Sequence, residues 1–205
     1  MNNYFEYVQK LSALFAEAEK IPLGAASMRS ATFADSFVAD TETFEKTCAP
    51  KYLELNRKAL IFAPHPDDES MSGALALRFM RECGFAVDDV AVTLGSNKAR
   101  RAGRRSELSE CCKRLSWGLH ICGNGEGFDN IRPEFQGSDA WRVCVREIAD
   151  IISAENPAAI FAPHKDDWNK THCGVSLLVS DALDLLGDSY KGLVFETEYW
   201  GAMSS

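Results

Sequence analysis

The chain of 205 residues contains no apolar run approaching the roughly 18 residues that a membrane-spanning helix needs. Its amino terminus also lacks a basic segment leading into an unbroken apolar stretch, so neither membrane insertion nor secretion is expected. Cysteine pairs of the CxxC type are missing as well. Seven cysteines occur, an odd number, and the adjacent Cys111 and Cys112 sit in a helical pattern that points them in different directions. That arrangement suits neither a disulfide staple nor a zinc knuckle. Reduced, mostly buried thiols and a cytosolic compartment are the expectation. Positive charge is in deficit, with 22 Lys and Arg against 30 Asp and Glu and a net charge of -8. Nucleic acid is thereby excluded as the main partner, because phosphate binding needs clustered cations. The one basic cluster, over 98–105, is local and could serve a substrate instead.

What is present is an ordinary globular composition, 46% hydrophobic and 25% charged, in a length that suits one domain. Apolar residues at Phe5, Val8, Leu11, Leu14 and Phe15 predict an amphipathic helix over 4–20. A weakly patterned arm follows to residue 52, with 33–44 partly helical. From Lys58 onward the pattern turns regular. Strands are predicted over 59–64, 90–94, 119–122, 158–163 and 193–200, alternating with helices over 71–83, 103–115, 138–154 and 173–186. Such alternation implies right-handed crossovers and a mostly parallel sheet covered on both faces. The expected organisation is therefore an N-terminal helix and arm over 1–57 and a three-layer α/β/α domain of about five strands over 58–205. The chain stops after Tyr199-Trp200 without a closing helix, and is expected to continue beyond Ser205.

One phrase occurs twice at strand ends. Ile61-Phe-Ala-Pro-His65 and Ile160-Phe-Ala-Pro-His164 are each followed by an Asp-Asp pair, which points to two loops converging on one site. In the first loop, His65 and Asp68 offer an imidazole nitrogen and a carboxylate between restricting prolines, donors that suit Zn²⁺ or another divalent first-row ion. The second loop supplies a third candidate, His172, and His-Asp-His with an open fourth position is the composition of a catalytic zinc site. Asp67 is then the natural general base for a water whose pKa the metal lowers. Asn169, His164 and Lys170 are candidate donors to a developing oxyanion. His120, in a short strand, is read as structural, and Glu69 as a structural partner of the loop.

Pro64-His-Pro-Asp-Asp-Glu69 with Gly73 resembles the signature of the LmbE-like (PIG-L) zinc-dependent N-deacetylases, which remove acetyl groups from N-acetylglucosamine-type sugars. The resemblance runs from about Ala59 onward and takes in Thr93-Leu-Gly-Ser-Asn97, Arg104-x-x-Glu107-Leu108 and Asp167-x-Asn-x-Thr-His172. It implies a Rossmann-like fold, metal ligation by His65, Asp68 and His172, and Asp67 as general base. It also implies sugar contacts from Arg104 and from an acid after the third strand, Asp129. Many members have His-x-x-His in the second motif where this chain has Asn169, a residue that donates a hydrogen bond but no proton. Either Asn169 or His164 is expected to fill that place.

The function expected is hydrolysis of an acetamide on a small amino-sugar-like molecule, without nucleic-acid partners; no oligomeric state is indicated. Two further readings share the motifs: a metal-dependent hydrolase of another bond, and a sugar- or metal-binding module without turnover.

Overall fold

Alternation of apolar residues in the first strand, β1 (Asn56–Ala63), sends Leu60 and Phe62 to one side of a sheet and Ala59 and Ile61 to the other. The remaining strands are β2 (Ala86–Ala91), β3 (Gly118–Ile121), β4 (Pro157–Pro163) and β5 (Leu193–Thr197). All pair in parallel, in the order β3-β2-β1-β4-β5. The computed structural model describes residues 56–199, which fall within one unit, Ala49–Ser205. The helix expected over 4–20, the arm after it and Trp200 lie outside the described residues.

Among the described residues four α-helices cover the sheet. The layer on one face holds α1 (Asp68–Cys83) and α2 (Arg101–Leu115), which pack Ala76, Phe79, Leu108 and Cys112 on Ile61, Val87 and Phe161. The other layer holds α3 (Asp139–Glu155) and α4 (Lys170–Leu186), which set Ile148, Ile152, Leu178 and Val179 against Leu60, Phe62 and Ile160. Phe62 and Phe161 are fully buried, and side chains of this kind contribute about 1.5–3 kcal/mol each by leaving water. The ends of the helices follow from local chemistry. Ser138 accepts a hydrogen bond from the Trp141 N–H to cap α3, and Gly84 closes α1 in the left-handed region at φ 66°. Among the described residues no helix is long and apolar enough to cross a membrane.

The expected three-layer α/β/α architecture is what the structure has. One strand differs from the pattern reading, since β2 covers 86–91 and not 90–94 and so contains the Asp88-Asp89 pair. Acids there disguise a buried strand. Asp88 is matched on its own face by Lys58 Nζ at 2.9 Å and His120 Nε2 at 3.2 Å. Asp89 is 0% exposed in the layer below α1 and α2, and neither carboxylate oxygen has a hydrogen-bond partner among the described residues. Just past β2 the Val92 N–H donates to Ala63 O at 2.9 Å, which holds the ends of β1 and β2 together. Six cysteines lie among the described residues and all are free thiols. Burial pushes the Cys112 thiol up to about 12 and that of Cys144 to about 11, which keeps both unreactive.

Burial, and then the nearby Glu69 and Asp68 carboxylates, push the pKa of Asp89 well above the usual carboxylate range. A carboxyl whose folded pKa is raised favours the native state fully below the unfolded pKa of about 3.9 and loses that advantage as pH rises through the folded value. Replacing it with a similarly sized apolar residue, Asp89→Val, is therefore expected to stabilise the fold at pH 7 by about 1–3 kcal/mol. Urea unfolding should show this gain shrinking as pH falls through the raised folded value toward about pH 4, and levelling off below it.

Candidate metal centre and active-site cavity

The strand order reverses direction between β1 and β4, and loops leaving the carboxyl ends of strands on either side of such a point form a crevice. Pro64 and the residues after it leave β1 there, and the loop from His164 to Asn169 leaves β4. Between them opens a cavity of about 690 Å³ whose lining includes His65, Asp67, Asp68, Asn169 and His172.

Asp68 is the joint. It stands in the first turn of α1, where a negative charge also meets the helix dipole favourably. Its Oδ2 accepts the His65 backbone N–H at 2.9 Å and lies 3.1 Å from both His65 Nδ1 and His172 Nε2. Burial works to raise the Asp68 pKa, but hydrogen bonds and charge from His172 and His65 outweigh it and hold the carboxyl at about 2. His172, in the first turn of α4, is 1% exposed. Its other nitrogen, Nδ1, lies 3.3 Å from Asp167 Oδ2, and its ring meets Tyr199 edge-on at 4.9 Å. Burial lowers the pKa of His172, yet the Asp68 and Asp167 carboxylates raise it above the ordinary histidine value.

The donors of His65, Asp68 and His172 all fall within 4.8 Å of one another. Two imidazoles aimed at one carboxylate oxygen, with a second carboxylate behind one of them, is a donor set that fits a divalent first-row cation. A second group of three, Asp88, His120 and Glu155, meets the same distance limit toward the amino-terminal ends of β1 and β2. There the cation is already supplied, since the Lys58 ammonium bridges Asp88 and Glu155. His120 thus serves the fold, as its short strand suggested.

Asp67 precedes α1 with φ 108°, a left-handed conformation that a non-glycine residue takes at a cost. Two neighbours hold it. The Asp67 N–H donates to Glu69 Oε2 at 2.7 Å, and the Asp67 carbonyl accepts from Ser70 N–H and Oγ at 3.1 and 2.6 Å. Glu69 is buried and its pKa is raised by that burial, with the Asp67 N–H pulling the other way. In the second loop, Asn169 caps α4 with Oδ1 accepting the Thr171 N–H at 2.9 Å, and its own N–H donates to Asp167 Oδ1 at 2.8 Å. The Asn169 amide nitrogen is thereby the end left to serve the cavity.

His164 is placed differently. It does not line the cavity; its Nε2 lies 3.3 Å from Glu196 on β5 and its Nδ1 accepts the Asp166 N–H. Arg104 and Asp129 do line it, but Asp129 pairs with Arg101 and Lys98. The Arg101 guanidinium, opposed by slight burial and joined by Lys98, lowers the Asp129 pKa. Asp167 and Arg101 received no role from the sequence. For Asp167 the signal was its place five residues before His172 in one loop; for Arg101 nothing marked it out from its arginine neighbours.

The PIG-L profile, described as GlcNAc-PI de-N-acetylase, matches residues 60–183, more than half of the chain. The chain belongs to the PIG-L family. No curated protein matches it. Among solved structures it is similar to A40926 pseudoaglycone deacetylase Dbv21, at 17% identity and a TM-score of 0.55 over 74% of this chain and 67% of that one. It is also similar to the conserved protein TT1542 of Thermus thermophilus, at 23% identity and a TM-score of 0.50 over 70% of this chain. GalB, the 4-carboxy-2-hydroxymuconate hydratase of Pseudomonas putida KT2440, resembles it at 19% identity and a TM-score of 0.51 over 66% of this chain. The chain spans 63% and 59% of the lengths of TT1542 and GalB. At such identities these likenesses establish the fold shared with PIG-L members, and a hydratase among them shows that the fold alone does not name the reaction.

Metal affinity is expected to fall as pH drops through the raised pKa of His172, about tenfold per pH unit, because the ligand must lose its proton to bind. Chelator competition followed across pH measures this. Asp167→Asn is expected to weaken the metal by about 10–100-fold through the ring it orients, while Asp166→Asn, on the exposed part of the same loop, leaves affinity unchanged.

Proposed function

We propose that this PIG-L member is a metal-dependent N-deacylase that removes an acetyl group from an N-acetylglucosamine-like sugar, carried by a domain over 58–205. The observation that carries the reading is the meeting of His65 and Asp68 from one strand-end loop with His172 from another, at a cavity that Asp67 also lines. His65, Asp68 and His172 would hold Zn²⁺ or another divalent first-row ion. Such an ion, when bound, lowers the pKa of a water and polarises the acyl carbonyl.

The side chains divide the remaining work. Asp67, exposed at the cavity and fixed by Glu69 and Ser70, takes a proton from the attacking water and returns it to the departing amine. Water oxygen bonds to the acyl carbon, the carbon–nitrogen bond breaks, and acetate and the free amine result. Asn169 donates a hydrogen bond to the acyl oxygen as negative charge gathers there. His164 takes no part in this scheme, because Glu196 and the Asp166 N–H occupy both its ring nitrogens. Arg104 contacts the sugar; Asp129 holds Arg101 and Lys98 in place at the cavity wall.

Asp67→Asn is expected to keep about one metal ion per chain and to lose about 10²–10⁴-fold in acetate release from N-acetyl sugars. Full activity in that variant would remove Asp67 from the mechanism. Asn169→Ala is expected to lower kcat by about 10²–10³-fold, whereas His164→Ala leaves kcat within twofold. Binding of sugars without release of acetate from any of them would favour a binding module on the same scaffold.

A further inference from the structure

Among the described residues the last backbone bond between the ends of β1 and β2 is that of the Val92 N–H to Ala63 O, and the next link between them is a side chain. Thr93, 6% exposed, donates its Oγ1–H to Pro64 O at 2.6 Å and accepts the Gly95 N–H at 3.2 Å. Pro64 O and the His65 N–H belong to one planar peptide unit. That N–H donates to Asp68 Oδ2 at 2.9 Å. The donors therefore run in one direction, from the Gly95 N–H to the Thr93 hydroxyl, from the hydroxyl to the Pro64–His65 peptide, and from the peptide to the oxygen that both imidazoles approach. Hydrogen bonds in such a chain polarise one another, and turning the peptide plane would break two of them together.

Thr93 is itself firmly placed. On its amino-terminal side, Val92 O accepts the Phe128 N–H at 2.8 Å from the loop after β3. On the other side, a Cβ at Gly127, which adopts φ +71°, would stand 2.6 Å from Leu94 N and 3.0 Å from Thr93 C, so that loop packs directly on the Thr93–Leu94 peptide. The Gly95 carbonyl in turn accepts Arg101 Nε at 3.0 Å. The hydroxyl thus stands on a braced backbone, while His65 and Asp68, which it reaches through the peptide, line the same cavity as Thr93. Valine would nearly match its shape but leave Pro64 O and the Gly95 N–H, both on buried residues, without this partner.

We propose that Thr93 is a positioning residue for the metal centre, whose hydroxyl fixes the Pro64–His65 peptide and so aims the Asp68 carboxylate and the His65 ring at the cation. The inference rests on the proposed ligation by His65, Asp68 and His172, and is independent of which bond the enzyme cleaves. Orientation of the ligands enters metal affinity directly. A hydroxyl that only finished the sheet would enter the stability of the fold and leave that affinity alone.

The test measures Zn²⁺ affinity of the full chain by chelator competition at one pH, beside thermal unfolding of the metal-free protein. Thr93→Val is expected to weaken Zn²⁺ binding by about 10–100-fold, and Thr93→Ser, which keeps the hydroxyl, to stay within about threefold of the unchanged chain. At saturating Zn²⁺ the Val variant is expected to recover part of its lost acetate release, with the remaining loss in kcat and not in KM. Unchanged Zn²⁺ affinity in Thr93→Val, whatever its melting temperature, overturns the inference. Equal weakening in the Val and Ser variants overturns it too, by tracing the effect to the shape of the side chain. Should Thr93→Val fail to fold, Thr93→Ala set against Thr93→Ser makes the same comparison with less bulk. Acetate release with unaltered affinity in Thr93→Val removes Thr93 and keeps the deacylase reading; the expected fall in affinity with no acetate released from any N-acetyl sugar keeps Thr93 and removes that reading.

Discussion

One oxygen atom, Asp68 Oδ2, joins the two halves of the site. It lies 3.1 Å from a histidine that leaves β1 and 3.1 Å from another on α4, more than a hundred residues later in the chain. The contact requires β1 and β4 to be neighbours, which the parallel order β3-β2-β1-β4-β5 provides and a simple sequential order would not. Two imidazoles on one carboxylate would be an unstable concentration of donors unless a second ring nitrogen and the backbone were also engaged. Asp167 behind His172 and the His65 N–H on Asp68 do this.

Strain is concentrated at the same place. Asp67 holds φ 108° because Glu69 and Ser70 grip its backbone from both sides, and the outcome is a carboxylate exposed at the cavity that His65, Asp68 and His172 also line. The buried Glu69 has its pKa raised by that burial, and the Asp89 carboxylate nearby is buried without hydrogen-bond partners among the described residues. Stability is thus given up on the α1–α2 side of the sheet in the region supporting the site. The opposite ends of the strands are conventional by comparison, with Lys58, Asp88, Glu155 and His120 satisfying one another.

Much of this was legible in the residues. Alternating strands and helices gave the three layers because each element buries a face with its own period, and Gly84 and Ser138 mark ends through chemistry that acts locally. The strand β2 was misplaced by a few residues because Asp88 and Asp89 break its apolar run. Asp88 is tolerated only because Lys58 and His120 arrive from other strands, and no local pattern announces them. His164 ends a near-copy of the first phrase, but its Nε2 lies 3.3 Å from Glu196 on β5 and it does not line the cavity, which the local pattern does not announce.

The sequence by itself determined the layered α/β fold, the PIG-L family and the two strand-end loops that line the cavity, because turn residues, hydrophobic period and side-chain type act over a few positions. Tertiary structure alone decided which of those residues meet. That Asp167 stands behind His172, that Arg101 is consumed by Asp129 while Arg104 is not, and that His164 is turned aside all depend on distances between elements far apart in the chain. Those distances are set by strand order and by the close approach of the Ile131–Arg132 backbone to α4 at Gly174, which no single stretch of residues encodes.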